Sequence, residues 1–292
     1  MSIVYPKEKL DGVEPGVYPD MSNDEYHTGP GLSCTGVKRI LRTPLHFIDP
    51  MIHPERYEKL DEKPALVFGR AAHKYLLEPD GFDAEIAILP NVNKRTNAGK
   101  ATILAFTADN PGKTFITVDD FEIIQWMKET TDNSQTFKNT FADTKIEQSI
   151  FWRDVESGAL LKCRPDAMKR IIMNGQTVML CIDLKTAIDA SYVGFSKAIA
   201  NFSYDVQSAM YTEGIKAAHP DINNVRFLFA AIEKTPPFAV AIYVLEPESL
   251  IMGYRKFRVG VTLFNQCVET NEWCSFPDYI IPINMPKWSM SA

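Results

Sequence analysis

The chain has 292 residues, 45% of them apolar, and 31 basic against 37 acidic residues give it a formal net charge of −6. Such a chain can pack one large domain or two small ones, which excludes disorder, collagen and coiled coil. No run approaches the roughly 18–20 uncharged apolar residues of a membrane span, and the opening MSIVYPKEKLDG lacks the apolar stretch of a signal peptide, so a soluble protein of a reducing compartment is expected.

Cys34, Cys163, Cys181, Cys267 and Cys274 are odd in number and form no CxxC pair, which argues against a disulfide framework. The acidic balance argues against a protein whose main task is to wrap nucleic acid. It is unevenly spread, however: residues 1–30 hold Lys7 and Lys9 against Glu8, Asp11, Glu14, Asp20, Asp24 and Glu25, and the remainder is close to neutral. A local basic channel stays compatible with the composition.

In chain order, residues 1–30 show no helical or strand period and read as an irregular arm. SCTGVKRILRTPLHF predicts a short helix capped by Ser33 or Thr35, with Val37, Ile40 and Leu41 on its apolar side and Pro44 as its stop. PALVFGRAAHKYLLE (64–78) predicts a helix with Leu66, Gly69, His73 and Leu76/Leu77 on one face. A basic run, NKRTNAGK, follows among turn formers, then a helix near 118–130.

From Ile146 the period changes to that of strands. IEQSIFWRD and ALLKCRPDAMKRII, joined through Glu156-Ser157-Gly158, predict a hairpin, and TVMLCIDLKT (177–186) a third strand. Helices near 191–200 and 204–218, strands at 225–234 and 238–246, and a long amphipathic helix over 247–271 complete the chain. The order predicts one α/β domain with a mixed sheet and a helical N-terminal part.

The chemistry concentrates in Arg164-Pro165-Asp166 and Asp183-Leu184-Lys185. Strand alternation places Asp183 and Lys185 on one face, and a hairpin partner carrying Asp166 sets two carboxylates close together. Such a pair repels unless a cation lies between, and hard oxygen donors suit Mg²⁺ or Mn²⁺. Lys185 could then orient or deprotonate a water. The plainer alternative is a structural ion pair at a strand end, although unpaired charge is costly in a strand this apolar.

His73, four residues after Gly69, could be a third ligand or a packed core histidine. Gln207 and Tyr211 share a helix face and could meet phosphate, water, base or sugar, or simply belong to an ordinary helix surface. Lys94, Arg95 and Lys100 could grip DNA phosphate or decorate a solvated loop.

Taken in order, Gly69/His73, Asp166, Asp183/Lys185 and Gln207/Tyr211 resemble the GxxxH, PD, DxK and QxxxY pattern of the RecB-like PD-(D/E)xK nucleases. The resemblance is closer still to the C-terminal exonuclease domains of the RecE (exonuclease VIII) family. It runs through GVYPDMSNDEYHTGPGLS, TPLHF, FGRAAHKYLLEP, KRTNAGK, CRPDAM, DLKT and a late tryptophan, Trp288, from about residue 14 to 288.

It implies a restriction-endonuclease-like α/β fold, a mixed central β-sheet flanked by helices. The nuclease domain would occupy residues 31–292, helical over 31–145 and α/β over 146–292, behind the arm 1–30. The implied activity is Mg²⁺-dependent (Mn²⁺ may replace it) 5′→3′ degradation of linear double-stranded DNA, leaving 3′ tails for recombination by annealing. The implied partners are DNA ends, a RecT-type single-strand annealing protein and further copies of the chain in a ring, a tetramer being one option. The implied setting is the cytoplasm of a bacterial host, with a phage or prophage origin.

By the same resemblance, His73, Asp166, Asp183 and the Leu184 carbonyl hold metal, Lys185 is the catalytic lysine, Gln207 and Tyr211 position DNA or water, and Glu147 matches a glutamate of some relatives. Some RecB-like nucleases carry an iron–sulfur cluster on one early and three late cysteines. Cys34, Cys267 and Cys274 leave one ligand short, so no cluster is expected. Two other readings stand beside this one: a single-strand or flap nuclease of the same group, and an inactive DNA-end-binding scaffold. The complete charged set speaks against the scaffold. No GxxxxGK[ST] loop for an ATP motor occurs.

Overall fold

A computed structural model describes residues 4–57 and 62–285, so Trp288 lies outside the described residues. Residues 1–30, read as an irregular arm, carry regular structure: strand β1 (Gly16–Tyr18) and helix α1 (Asn23–Thr28). Ser22 caps α1 and Glu25 reaches back to the Ser22 N–H, a capping box contained in SNDE. β2 (Leu32–Ser33) runs into α2 (Cys34–Arg42), capped by Ser33. Thr43 ends α2 and caps α3 (Pro44–Ile52), so Pro44 both stops one helix and starts the next.

Then follow α4 (Pro54–Tyr57), α5 (Pro64–Leu77), α6 (Phe82–Glu85), β3 (Ile86–Ile88), α7 (Asn97–Asp109), β4 (Thr114–Ile116), α8 (Val118–Asn133) and α9 (Gln135–Phe141). The buried face of α5 is Phe68, Ala71, Ala72 and Leu76, whereas Leu66, expected there, is exposed. KRTNAGK is half helix: Thr96 caps α7 and Lys100 stands in its first turns. Gly99 is required there, because a Cβ would come within 2.0 Å of the Asn93 carbonyl oxygen.

The second half holds β5 (Lys145–Ile146), β6 (Ser149–Arg153), β7 (Leu160–Cys163), β8 (Ala167–Met173), β9 (Gln176–Ala187), α10 (Tyr192–Phe202), α11 (Tyr204–Ala218), β10 (Asn224–Glu233), β11 (Val240–Val244) and α12 (Pro247–Thr270). Two mixed sheets form, with orders β1-β6-β7-β2 and β11-β10-β9-β8-β5, beside a small β3-β4 pair. ALLKCRPDAMKRII is two strands in two sheets, broken at Arg164-Pro165-Asp166: its first part, β7, forms the expected hairpin with β6, and its second part, β8, joins the other sheet.

The hairpin that matters is β8–β9. Asn174 and Gly175, both at positive φ, make its two-residue turn, and the register runs from Met173↔Gln176 to Ala167↔Ile182. One face of β9 (Val178, Leu180, Ile182, Leu184) packs into the core under α5 and α8; Met179 and Cys181 of the other face pack into the core with α2, α11 and α12. β10 lies parallel to β9, and α10 and α11 form the crossover between them.

The N-terminal segment is tied to this frame. β1 pairs with β6, and Lys162, on β7 and 4% exposed, donates from Nζ to the carbonyls of Tyr26 (2.6 Å) and Gly29 (2.8 Å) at the end of α1. Burial, helped by the Lys9 charge, pushes the Lys162 pKa down to about 8. The folded state then binds fewer protons than the unfolded chain between pH ~8 and ~10.5. Stability contributed by this residue should therefore rise as pH increases across that window. Thermal melts of wild type and Lys162→Met at pH 7.5–10.5 test this: the wild type should gain relative to the variant as pH rises, and parallel curves would contradict it.

Candidate active site

Register and proline together build the site. Continuing the β8–β9 register sets Asp166 opposite Asp183 and Pro165 opposite Leu184. Proline has no N–H to donate, so the ladder stops. The Leu184 N–H is taken instead by Asp166 Oδ2 at 2.6 Å, and the Leu184 carbonyl, which faces the same way, has no donor from β8. His73 of α5 fills part of this gap: its Nδ1 lies 3.5 Å from Asp166 Oδ2 and its ring lies beside the Leu184 carbonyl.

Asp183, 2% exposed, accepts from Gln207 Nε2 of α11 on Oδ1 at 2.6 Å and meets Lys185 Nζ on Oδ2 at 2.5 Å. Gln207 thus aims a carboxylate with one N–H of its amide. Glu147, at φ 52°, hydrogen-bonds from its backbone N–H to the Asp166 carbonyl and through Oε2 to Arg164 Nε at 2.7 Å. Three acids, a lysine and a histidine are thereby gathered where the two sheets part.

The charges are under strain. Burial first, and the Asp183 charge second, push Asp166 up to about 8; burial and then Asp166 push Glu147 up to about 7. Lys185 is raised above its ordinary value: burial works against its charge, but Asp183 and Asp166 outweigh it. It is an ammonium here, suited to orienting or stabilising an anion rather than to taking a proton. Burial and the Lys185 charge lower His73, leaving a neutral imidazole able to ligate.

These donors fit a hard divalent cation. Asp183 Oδ2 is buried and has the Lys185 ammonium beside it but no well-directed hydrogen bond, acids repel one another beside it, and a main-chain carbonyl lacks its strand partner. Among the described residues no three His, Cys, Asp or Glu side chains already converge into a closed cage. Mg²⁺ needs none, since one or two carboxylates suffice when water and substrate phosphate complete the shell. Asp166, Asp183, the Leu184 carbonyl and His73 would hold it.

Tyr211, expected near a base or sugar, is buried against Phe227 and lines, with Tyr26, Ser33, Arg39 and Lys162, a cleft of about 430 Å³. Lys94, Arg95 and Lys100 are exposed and contact none of the acids; they stand at the N-terminal end of α7. All five cysteines are free.

Two contributors had no assigned role in the sequence reading. Arg164 clamps Glu147, Ser149 Oγ and the Ser22 carbonyl while lying over the Tyr26 ring. Tyr204 presents its ring 4.8 Å from Lys185 Nζ. The only signals were position: Arg164 directly precedes Pro-Asp, and Tyr204 lies three residues before Gln207 on one helix.

A mixed α/β fold with buried acids and a lysine at the end of a β-hairpin defines a PD-(D/E)xK-type protein. The chain belongs to the family described as a PDDEXK-like domain of unknown function (DUF3799), matched over residues 33–279. It is similar in fold to a solved structure from Eubacterium rectale described as "Putative exonuclease", with TM-score 0.56, 14% identity, and coverage of 94% of this chain and 98% of that one. A structure described as SSO0001 shares 12% identity over 78% of this chain and 85% of its own at TM-score 0.28, too slight a likeness to bear on the fold. No curated protein matches the sequence. Among the described residues no helix is long and apolar enough to cross a membrane.

With its folded pKa raised, Asp166 keeps its proton where the unfolded chain has lost it, so metal-free stability should fall as pH climbs from ~4 to ~8. Asp166→Asn removes that loss. In EDTA, its melting temperature should overtake the wild type's progressively across this range; a constant difference would show that Asp166 ionises normally.

Proposed function

We propose that the chain is a divalent-metal-dependent exodeoxyribonuclease, acting on linear double-stranded DNA in the 5′→3′ direction and leaving 3′ single-stranded tails for recombination by annealing. The observation that carries the hydrolytic reading is the Asp166/Asp183/Lys185 set beside a Leu184 carbonyl left out of the strand ladder, within a PDDEXK-like family. Substrate form and polarity rest on the resemblance to RecE-type domains. So do a RecT-type annealing partner, a ring-shaped homo-oligomer, a cytoplasmic setting and a phage or prophage origin.

Mg²⁺, or Mn²⁺ in its place, supplies Lewis acidity toward the phosphate and strengthens water as a nucleophile. The protein residues do the rest. Gln207 holds Asp183 in one orientation, and the Leu184 N–H holds Asp166. Lys185, kept protonated by both acids, faces the negative charge that builds on the phosphoryl oxygens. Arg164 restrains Glu147 beside the cluster. The resulting donor array is rigid before substrate arrives, so little reorganisation is left for the reaction.

Digestion of 5′- or 3′-labelled linear duplex, nicked, closed circular and single-stranded DNA with Mg²⁺ or EDTA tests the reading. Linear duplex should be shortened from 5′ ends, EDTA should stop the reaction, and Asp183→Ala should lower the rate by about 10³-fold or more. Cutting of closed circles would sink the exonuclease reading, and preference for single strands or flaps would favour the related nuclease class. Binding without cleavage in every metal would favour an inactive end-binding scaffold.

Replacing both Arg95 and Lys100 with alanine should reduce the slope of log affinity against log salt by ~1–2 units, provided they meet phosphate. An unchanged slope would place the basic lining elsewhere.

A further inference from the structure

Lys185 is not the only ammonium on the Tyr204 ring. Lys38 of α2 sets its Nζ 5.3 Å from the same ring centroid that Lys185 approaches at 4.8 Å. Lys185 has a counter-charge in Asp183. Lys38 has no carboxylate within ion-pair distance among the described residues, and the acids that act on it from farther off, Asp183 and Asp205, are engaged by Lys185 at 2.5 Å and by Lys256 at 2.7 Å. Lys38 also donates no hydrogen bond to any described residue, although its side chain is half-buried.

The contrast with Lys162 is informative. A lysine buried for structural reasons spends its ammonium on fixed acceptors, as Lys162 does on two backbone carbonyls. Lys38 has only a π-face, which it shares with a like charge. Burial lowers its pKa and the Lys185 charge acts the same way, while nearby Cys34 is itself held neutral by burial. A half-buried cation of this kind, left without an anion beside a nuclease-type cluster, calls for an anion from outside the chain.

We propose that Lys38 binds a backbone phosphate of the nucleic-acid strand held at the carboxylates. Both lysines approach the Tyr204 ring, so that one ammonium faces the phosphate being cleaved and the other grips a phosphate beside it. This rests on the nuclease reading and names a residue of the same site that recognises substrate. Lys38 contacts no described acid of the cluster, so its part is strand binding and its substitution should act mainly on affinity.

The test combines Lys38→Met, which keeps the aliphatic stem, and Lys38→Arg with duplexes carrying one neutral methylphosphonate linkage at successive positions around the cleavage point. Single-turnover cleavage gives KM and kcat, and anisotropy in EDTA gives binding. Lys38→Met should weaken binding about 10-fold, chiefly in KM, and Lys38→Arg should recover most of it. At one linkage, the methylphosphonate should cost the wild type about as much as the substitution does and cost Lys38→Met nothing further.

Lys38→Met should melt at or above the wild-type temperature, because an uncompensated charge is removed. A methylphosphonate penalty equal in both proteins at every linkage, or a melting temperature that falls in Lys38→Met and returns in Lys38→Arg with binding unchanged, overturns the assignment. Wild-type protein that neither binds nor cuts DNA overturns the nuclease reading itself, which separates the two failures.

Discussion

The site depends on one interruption. The chain leaves the β1-β6-β7-β2 sheet and enters the β11-β10-β9-β8-β5 sheet across Arg164-Pro165-Asp166, and Pro165 cannot donate to the strand it faces. A ladder that would have run on past Ile182 therefore stops there, leaving a main-chain N–H and carbonyl of Leu184 to be satisfied by other means. Asp166 answers the first, and the His73 ring lies beside the second. The three residues at the break thus supply a carboxylate, a gap in the sheet and, in Arg164, the clamp on Glu147. Any residue with an N–H at position 165 could extend the hairpin, and the carbonyl would then be consumed in β-structure.

The electrostatics follow from where that break lies. It sits between two apolar cores, with Ile182 and Leu184 buried on one side and Cys181 on the other, so charges gathered there are poorly solvated. Asp166 and Asp183 share one lysine while Glu147 leans on Arg164, and two of the three acids, Asp166 and Glu147, are driven toward their protonated forms. Apolar residues of similar volume would serve stability better. The arrangement makes sense for a site that awaits positive charge, and it explains why Gln207 and Arg164 spend their donors on carboxylates.

Much of this was legible in the chain and some was not. Asp183 and Lys185 alternate around an apolar residue in an apolar strand, and that pattern alone placed them on one face. The α5 and α11 helices followed from their own periodicity. The break of ALLKCRPDAMKRII into two sheets was hidden, because a proline inside a strand-like run signals an edge or an end without saying that the next strand joins another sheet. Asn174-Gly175 carried the turn signal that fixes the Asp166–Asp183 register. The burial of Tyr211 could not be read, since a tyrosine at i+4 of a helix serves core and surface equally. Lys38, followed by Arg39 in the later half of a helix, resembles ordinary charge complementing the C-terminal dipole.

The acidic N-terminal segment changes its meaning in this light. Its carboxylates are partly consumed within the fold, Glu25 in the capping box and Asp11 on Arg153. Its backbone carbonyls receive two cations of the β7 strand and its end: Lys162 is held by Tyr26 and Gly29, Arg164 by Ser22. The Tyr26 ring lies beneath both cations. Because Arg164 in turn fixes Glu147, the segment that looked peripheral to the chemistry reaches it through one side chain. Its negative charge therefore says little about affinity for nucleic acid, because part of it is spent within the fold, on a helix cap and on Arg153.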